Sequence, residues 1–327
     1  MHILVTGAAG MIGRKLTERL VTAGALNKQP LEMLTLLDVS APQRPEKFTG
    51  RVETIGADIA DPAAARAAVA RRPDVVFHLA AIVSGEAELD FEKGMHVNFD
   101  GSRALFEAIR TTADDYRPRV VFSSSIAVFG APFPEAIPDD FALTPLTSYG
   151  SQKVMVEQLL ADYTRRGFLD GVGVRLPNIV VRPGKPNKAA SSFFSSIIRE
   201  PLNGEDAALP VDEGVRSWHA SPRAAVGFLI HAAGLDSKAL GQRVNLTMPG
   251  FCCTVAEQIA ALRRVAGDNV ASRIRHVPDP LVIRIVAGWP SRFDAQRALA
   301  LGFQAESSFD QIIRAHIDDE LGGRFAA

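Results

Sequence analysis

Tyr149 and Lys153 stand four residues apart in Tyr149-Gly150-Ser151-Gln152-Lys153, downstream of the triplet Ser123-Ser124-Ser125. A spacing of four puts both side chains on one face of a helix, one turn apart. A free tyrosine titrates near ~10, too high for a base at neutral pH. A neighbouring ammonium favours the phenolate and lowers that value, so the pair can act as an acid/base device. Any long helix can carry Y-x-x-x-K by chance. What gives the pair meaning is its order in the chain, after the serine-rich strand end and after the opening turn Gly7-Ala8-Ala9-Gly10-Met11-Ile12-Gly13. Together these describe a chain that binds a dinucleotide and moves a hydride.

In that opening turn, Gly7 ends a strand, Gly10 lets backbone approach a pyrophosphate, and Gly13 allows close helix–strand packing. The helix starting near Met11 and Ile12 aims its free N–H groups and positive dipole end at phosphate. The spacing is G-x-x-G-x-x-G rather than the commoner G-x-G-x-x-G. Asp38 ends the second strand, where a carboxylate accepts bonds from ribose hydroxyls and repels a 2′-phosphate. The next basic residue is as far off as Arg44, so NAD is preferred over NADP. Asp58 can accept a bond from the adenine amino group, with Ile59 packing on the ring, or it can cap the helix that follows. In Leu79-Ala80-Ala81, small residues let backbone pass close to the cofactor. His78, just before them, reads as a hydrogen-bonded core histidine.

These residues need elements to hold them. Residues 2–6, 33–38, 75–79, 119–123 and 172–176 read as strands, and 12–23, 61–71, 98–111 and 149–165 as helices. Asp61-Pro62 is an acidic cap followed by proline in the first turn. Alternating strands and helices predict an α/β fold, a Rossmann-type doubly wound parallel sheet, with a smaller C-terminal substrate lobe. The dinucleotide domain is expected over residues 1–181, with 217–247 returning to it and 243–246 as a further strand. The lobe, 182–327, is partly interleaved, with helices at 188–199, 221–235, 254–265, 294–301 and 309–321.

With 327 residues and 47% hydrophobic content the chain can bury a large core. A net charge of −1 gives no electrostatic reason to expect nucleic acid or an anionic membrane as partner. No apolar run reaches the roughly 18 residues of a membrane span. The chain enters a strand at His2, leaving no room for a signal peptide. Cys252 and Cys253 are adjacent, and a disulfide between neighbours would be strained, which implies a reduced, cytoplasmic protein. The seven histidines show no metal-ligand spacing, so no metal site is expected.

As an ordered set, residues 2 to about 185 resemble the extended short-chain dehydrogenase/reductase family, which includes sugar-nucleotide epimerases and dehydratases. The resemblance implies a catalytic hydroxyl at Ser125, a base at Tyr149, a lysine at Lys153 and a helix-start asparagine at Asn98 that supports the lysine. It also implies that backbone around Pro177 and Asn178, in Arg175-Leu176-Pro177-Asn178, holds the nicotinamide amide. Phe129 stands where a tyrosine is often seen. A narrower likeness runs through Arg182-Pro183-Gly184-Lys185-Pro186-Asn187-Lys188 and Ala189-Ala190-Ser191-Ser192-Phe193-Phe194. It points to members that oxidise C2 of four-carbon sugar acids such as D-erythronate with NAD.

An acid substrate needs a cation, and Lys188, Arg182 and Arg216 are the candidates. Ser84 can bond a substrate hydroxyl, as can Asn178; His219 reads as structural. Relatives pair the helices 98–111 and 149–165 across a two-fold axis, so a homodimer is expected. Leu105, Ile109, Val156 and Leu160 recur at helical spacing, facing either a partner or the chain's own sheet. The competing activity is a sugar-nucleotide epimerase or dehydratase that recycles NAD in place; other small-acid, uronate or threonine dehydrogenases of the family also remain open. A redox sensor without catalysis would not need Ser125, Tyr149 and Lys153.

Overall fold

The computed structural model describes residues 1–184 and 191–326. It divides into two compact units: Met1–Val128, Pro145–Leu176 and Val226–Thr247 form one, and Phe129–Thr144, Pro177–Ala225 and Met248–Ala327 the other.

The first unit is built on a seven-stranded sheet. Across it run Asn245–Thr247, Asp170–Leu176, Arg119–Ser125, Val75–His78, His2–Thr6, Met33–Asp38 and Arg51–Gly56, every neighbouring pair parallel. The inner strands are nearly continuous buried runs such as Val75–His78, the pattern of a sheet covered on both faces. Thr6 pairs with Leu37 on one side and His78 on the other, so the strand order reverses at His2–Thr6. This is the Rossmann-type doubly wound arrangement, whose ligand crevice opens at that reversal, beyond the carboxyl ends of the strands. Asn245–Thr247 joins the sheet edge, as the sequence predicts for 243–246.

The helices follow local signals. Met11–Ala23 stops at Gly24, whose φ of 63° suits glycine and whose N–H closes onto Leu20 and Val21. The Asp61 side chain caps Pro62–Val69 by accepting from the Ala63 N–H. The Thr147 hydroxyl does the same for Ser148–Arg165 at Gly150. The expected helix 98–111 needs correction. A π-helical turn, Met95–Asp100, precedes Gly101–Thr112, so Asn98 sits inside that turn and not at a helix start.

The second unit holds a three-stranded sheet of Asn178–Ile179, Arg216–Ala220 and Phe251–Thr254. Its core joins Phe193, Phe194, Ile197 and Ile198 to Leu262, Ile312 and Ile313. The helix expected over 188–199 is seen as Ser192–Leu202; residues 185–190 lie outside the described residues. Thr254 and Glu257 form a reciprocal capping box for Val255–Ala266. Pro280–Val286 is helical despite its β-branched residues, with Asp279 capping it and Pro280 in its first turn. Among the described residues, no helix is long and apolar enough to cross a membrane.

Leu105, Ile109, Val156 and Leu160 are 0% exposed within the first unit, in one cluster with Leu4, Val76 and Val120. The stripe therefore faces the chain's own sheet and offers nothing to a partner. Leu105→Ala should cost about 2–5 kcal/mol of unfolding free energy, through lost burial and the cavity left behind. Urea denaturation checks this; a cost under about 1 kcal/mol would mean the side chain is not core.

Candidate active site

Gly7 leaves the first strand with φ 71°, and a Cβ there would lie 2.7 Å from Ala80 N and 2.8 Å from the Leu79 carbonyl carbon. The turn thus presses against the Leu79–Ala80 backbone, as the small residues suggested. A Cβ on Gly13 would come within 2.2 Å of the Gly7 carbonyl oxygen. Gly13 therefore lets the helix close on its own turn. Gly10 provides no side-chain cap, so the first N–H groups, those of Met11, Ile12 and Gly13, are taken by no intrahelical carbonyl. Such a cradle fits a pyrophosphate.

Asp38 ends its strand beside this turn. Its Oδ2 accepts from Ala9 N at 3.0 Å and its Oδ1 from Ser40 N at 3.3 Å. A carboxylate has about four lone-pair sites, so acceptor capacity for ribose hydroxyls remains. Asp58 does not cap the following helix, since Asp61 does that itself. Its Oδ1 accepts from Ala60 N at 2.9 Å and its Oδ2 pairs with His96 Nε2 at 2.9 Å. Ile59 differs from expectation. Its side chain is buried among Leu4, Leu37 and Val69, and its Cγ2 would stand 2.8 Å from a Cβ on Gly101. That side chain belongs to the core and is not a free face for a ring.

The three serines of the Arg119–Ser125 strand do three jobs. Ser123 Oγ donates to the His78 carbonyl at 3.2 Å, and Ser124 Oγ to Glu157 Oε1 at 2.5 Å. Ser125 Oγ accepts from Ala127 N at 3.1 Å, and the Ser125 hydroxyl favours the Tyr149 phenolate. Gly150 explains how the helix start comes so near: a Cβ there would fall 2.2 Å from the Ala127 carbonyl oxygen.

Lys153 is 2% exposed. Its Nζ donates to the Ser123 carbonyl at 2.8 Å, 4.7 Å from the Phe122 ring centre and 5.6 Å from that of Tyr149. Burial pulls the ammonium down to about 7, against the opposing pull of Glu157. Burial likewise pushes Tyr149 up to about 12, with the Ser125 hydrogen bond working the other way. Desolvation is the larger of these two causes, so in the protein alone the phenol lies above its ordinary value.

Asn98 does not reach Lys153 through its hydrogen bonds. Its Nδ2 donates to Gln152 Oε1 at 2.7 Å and its Oδ1 accepts from Ile82 N at 2.9 Å. His78 bonds Thr6 Oγ1 at 2.7 Å and Ser102 Oγ at 2.8 Å; burial, then Lys153, lower it to about 3, so it is a neutral core histidine. Ser84, half-buried, opens the helix Ser84–Leu89 a few residues past Ala81. Sequence reasoning missed Gln152, Glu157 and Arg175. The signal for Glu157 was there, since it continues the Tyr149–Lys153 spacing by four more residues.

The remaining candidates lie in the second unit. Asn178 pairs in register with His219, and its Nδ2 is buried without a protein partner among the described residues. Pro177 precedes it. His219 is buried against Gln258 and lowered to about 3 by burial, a structural residue. Arg182 donates to Ser191 Oγ at 2.7 Å; burial and Arg199 lower it to about 10. Arg216 is exposed at the head of Arg216–Ala220, while Lys188 lies outside the described residues.

Known proteins are similar to this chain over nearly its whole length. A D-erythronate dehydrogenase of Cupriavidus necator is 50% identical over 323 residues, 98% of each chain. One of Haemophilus influenzae is 42% identical, over 98% of this chain and 100% of that one. A crystal structure described as a nucleoside-diphosphate-sugar epimerase from Agrobacterium tumefaciens superposes with a TM-score of 0.97, at 60% identity over 99% of this chain and 95% of the other. Residues 3–235, which contain the glycine turn, Asp38, the serine strand and the Tyr149–Lys153 helix, match one family throughout, and the chain belongs to that NAD dependent epimerase/dehydratase family.

Proposed function

We propose that this chain is an NAD-dependent dehydrogenase that oxidises the C2 hydroxyl of a small sugar acid, D-erythronate first among them, to the 2-oxo acid. The observation that carries this reading is the 50% identity, over 98% of both chains, to a D-erythronate dehydrogenase. NAD would lie with its pyrophosphate on the turn Gly7–Gly13, its adenosine ribose at Asp38, its adenine near Asp58, and its nicotinamide end near Lys153 and Pro177. Bound there, NAD supplies the hydride acceptor and a fixed positive charge.

The chain's own groups manage the proton and the alignment. Tyr149, as phenolate, accepts the hydroxyl proton. Ser125, whose Oγ accepts from Ala127 N, would turn its one hydroxyl hydrogen to the substrate oxygen. Lys153 holds the nicotinamide ribose and favours the phenolate, and Asn98 fixes the turn around Gln152 and Ile82. Ser84 and Asn178 are proposed contacts for the remaining hydroxyls.

The epimerase named for the Agrobacterium structure is the second reading. An epimerase returns its hydride and yields no net NADH, so NADH absorbance across a panel of four- to six-carbon aldonates, uronates, threonine and UDP-sugars separates the two. The adjacent free thiols Cys252 and Cys253 support a reducing, cytoplasmic setting. The homodimer rests on the resemblance, and its contacts must come from outward groups such as Arg103 and Arg110, not the buried stripe. A monomer by light scattering at micromolar concentration would refute it.

Tyr149→Phe should keep NAD binding and lose oxidation by about 10²–10⁴-fold, the scale of a general base. Because burial raises the phenol to about 12, the initial oxidation rate of the native enzyme should climb with pH. A flat profile from neutral to alkaline pH, or near-native turnover in the variant, would remove Tyr149 from the chemistry.

Asp38→Ala should weaken NAD and relax discrimination against NADP, since the ribose bonds and the repulsion of a 2′-phosphate vanish together. An unchanged ratio of kcat/KM for the two cofactors would show that Asp38 does not read the ribose.

A four-carbon acid has few apolar atoms, so its affinity must come from charge-assisted bonds, each worth about 1.5–3 kcal/mol. Lys188→Met should raise KM for the acid at least about tenfold, the loss of one such bond, and leave NAD affinity alone. If KM stays put there and rises in Arg216→Met, the role passes to Arg216. No change in either counts against an acid substrate.

A further inference from the structure

The spacing that defines Tyr149 and Lys153 has a third member. Glu157 follows on the same face of Ser148–Arg165 and is fully buried. Its carboxylate accepts from Arg175 Nε at 2.9 and 3.2 Å and from Arg175 Nη2 at 2.8 Å, a bidentate pair. It also accepts from Ser124 Oγ at 2.5 Å. Ser124 and Arg175 are registered partners on adjacent strands, and Arg175 Nη1 reaches Thr247 Oγ1 at 3.4 Å on the edge strand. One helical carboxylate therefore ties the helix to neighbouring strands at the level of the reacting groups. Hydride transfer as described above makes no use of it.

We propose that Glu157 is a positioning residue, fixing the helix that carries Tyr149 and Lys153 against the serine strand and its neighbour. This rests on the reading of Tyr149, Lys153 and Ser125 as the reacting set. The argument is one of placement. Ser124, which bonds Glu157, follows Ser123, whose carbonyl takes Lys153. Two consecutive strand residues thus bond two helix residues spaced by four. A slip of the helix along the strand would break both contacts together.

The groups facing Lys153 leave few sources of compensation. From its own helix come Tyr149 and Glu157; from Arg119–Ser125, the Ser123 carbonyl and the Phe122 ring; from Val75–His78, neutral His78. Arg175, from Asp170–Leu176, faces Glu157. Glu157 supplies the negative charge that opposes the burial of the ammonium.

Glu157→Gln alone strands the Arg175 charge in the interior and can unfold the chain, so the informative variant is Glu157→Gln with Arg175→Met. The readout is the Cε shift of Lys153 against pH in protein carrying 13C-labelled lysine, the signal being assigned by its loss in Lys153→Met. The midpoint for Lys153 should fall by about one unit in the double variant, because its stabilising carboxylate is gone. At pH 7, kcat for the sugar acid should drop at least about tenfold while KM moves less than about threefold, as expected when transition-state alignment is lost. An unchanged midpoint would overturn the proposal, and so would collapse of the double variant, which would make the pair a structural brace. The lysine titration needs no substrate. A native enzyme that turns over no sugar acid would therefore sink the substrate reading and leave this test intact.

Discussion

A positive charge kept almost wholly out of water is the constraint around which the first unit is arranged. Burying an ammonium is costly unless nearby dipoles and charges replace its hydration. At Lys153 that replacement comes from the Ser123 carbonyl, the face of Phe122 and the carboxylate of Glu157. Glu157 is buried in turn and requires Arg175. Compensation passes from helix to strand to neighbouring strand, and it works only if the Ser148–Arg165 helix lies close against the strand ends. Gly150 makes that approach possible, since any side chain there would strike the Ala127 carbonyl.

Local chemistry explains which parts of this arrangement were readable beforehand. The parallel sheet was legible because its strands are fully buried apolar runs separated by helices, and the glycine turn because only glycine fits its contacts. Asp61 and Pro62 announce a helix start through capping and a fixed φ. The Met95–Asp100 turn was not legible, for a π-turn has no periodicity distinct from the helix it interrupts. Ile59 was misassigned for a related reason: its neighbour Gly101 is 42 positions away in the chain, and only folding brings a bare backbone against its side chain. Pro280–Val286 shows capping prevailing over the strand preference of Val282, Ile283, Ile285 and Val286.

Within the site, residue types were legible and electrostatic balance was not. Tyr149 and Lys153 can be named from spacing, yet the sign of the shift on each depends on how much water reaches them, a property of packing. Burial drives the phenol up and the ammonium down, in both cases against the charged form. Such a site is poised to depend on charges brought close to it, as Glu157 on the same helix already is. The same logic accounts for His78. Set between Thr6 and Ser102 it stays neutral, and so adds no competing charge beside Lys153.

Asp38 illustrates how tightly recognition and architecture can be joined. Its carboxylate bonds the Ala9 N–H inside the glycine turn, and the same group is the one proposed to read a ribose. The acid is a strut of the turn whatever it reads. Redesign of cofactor preference by charge reversal here would remove a support from the pyrophosphate loop at the same stroke. A successful switch must restore an acceptor for Ala9 from elsewhere, which makes this preference hard to drift away from by single substitutions.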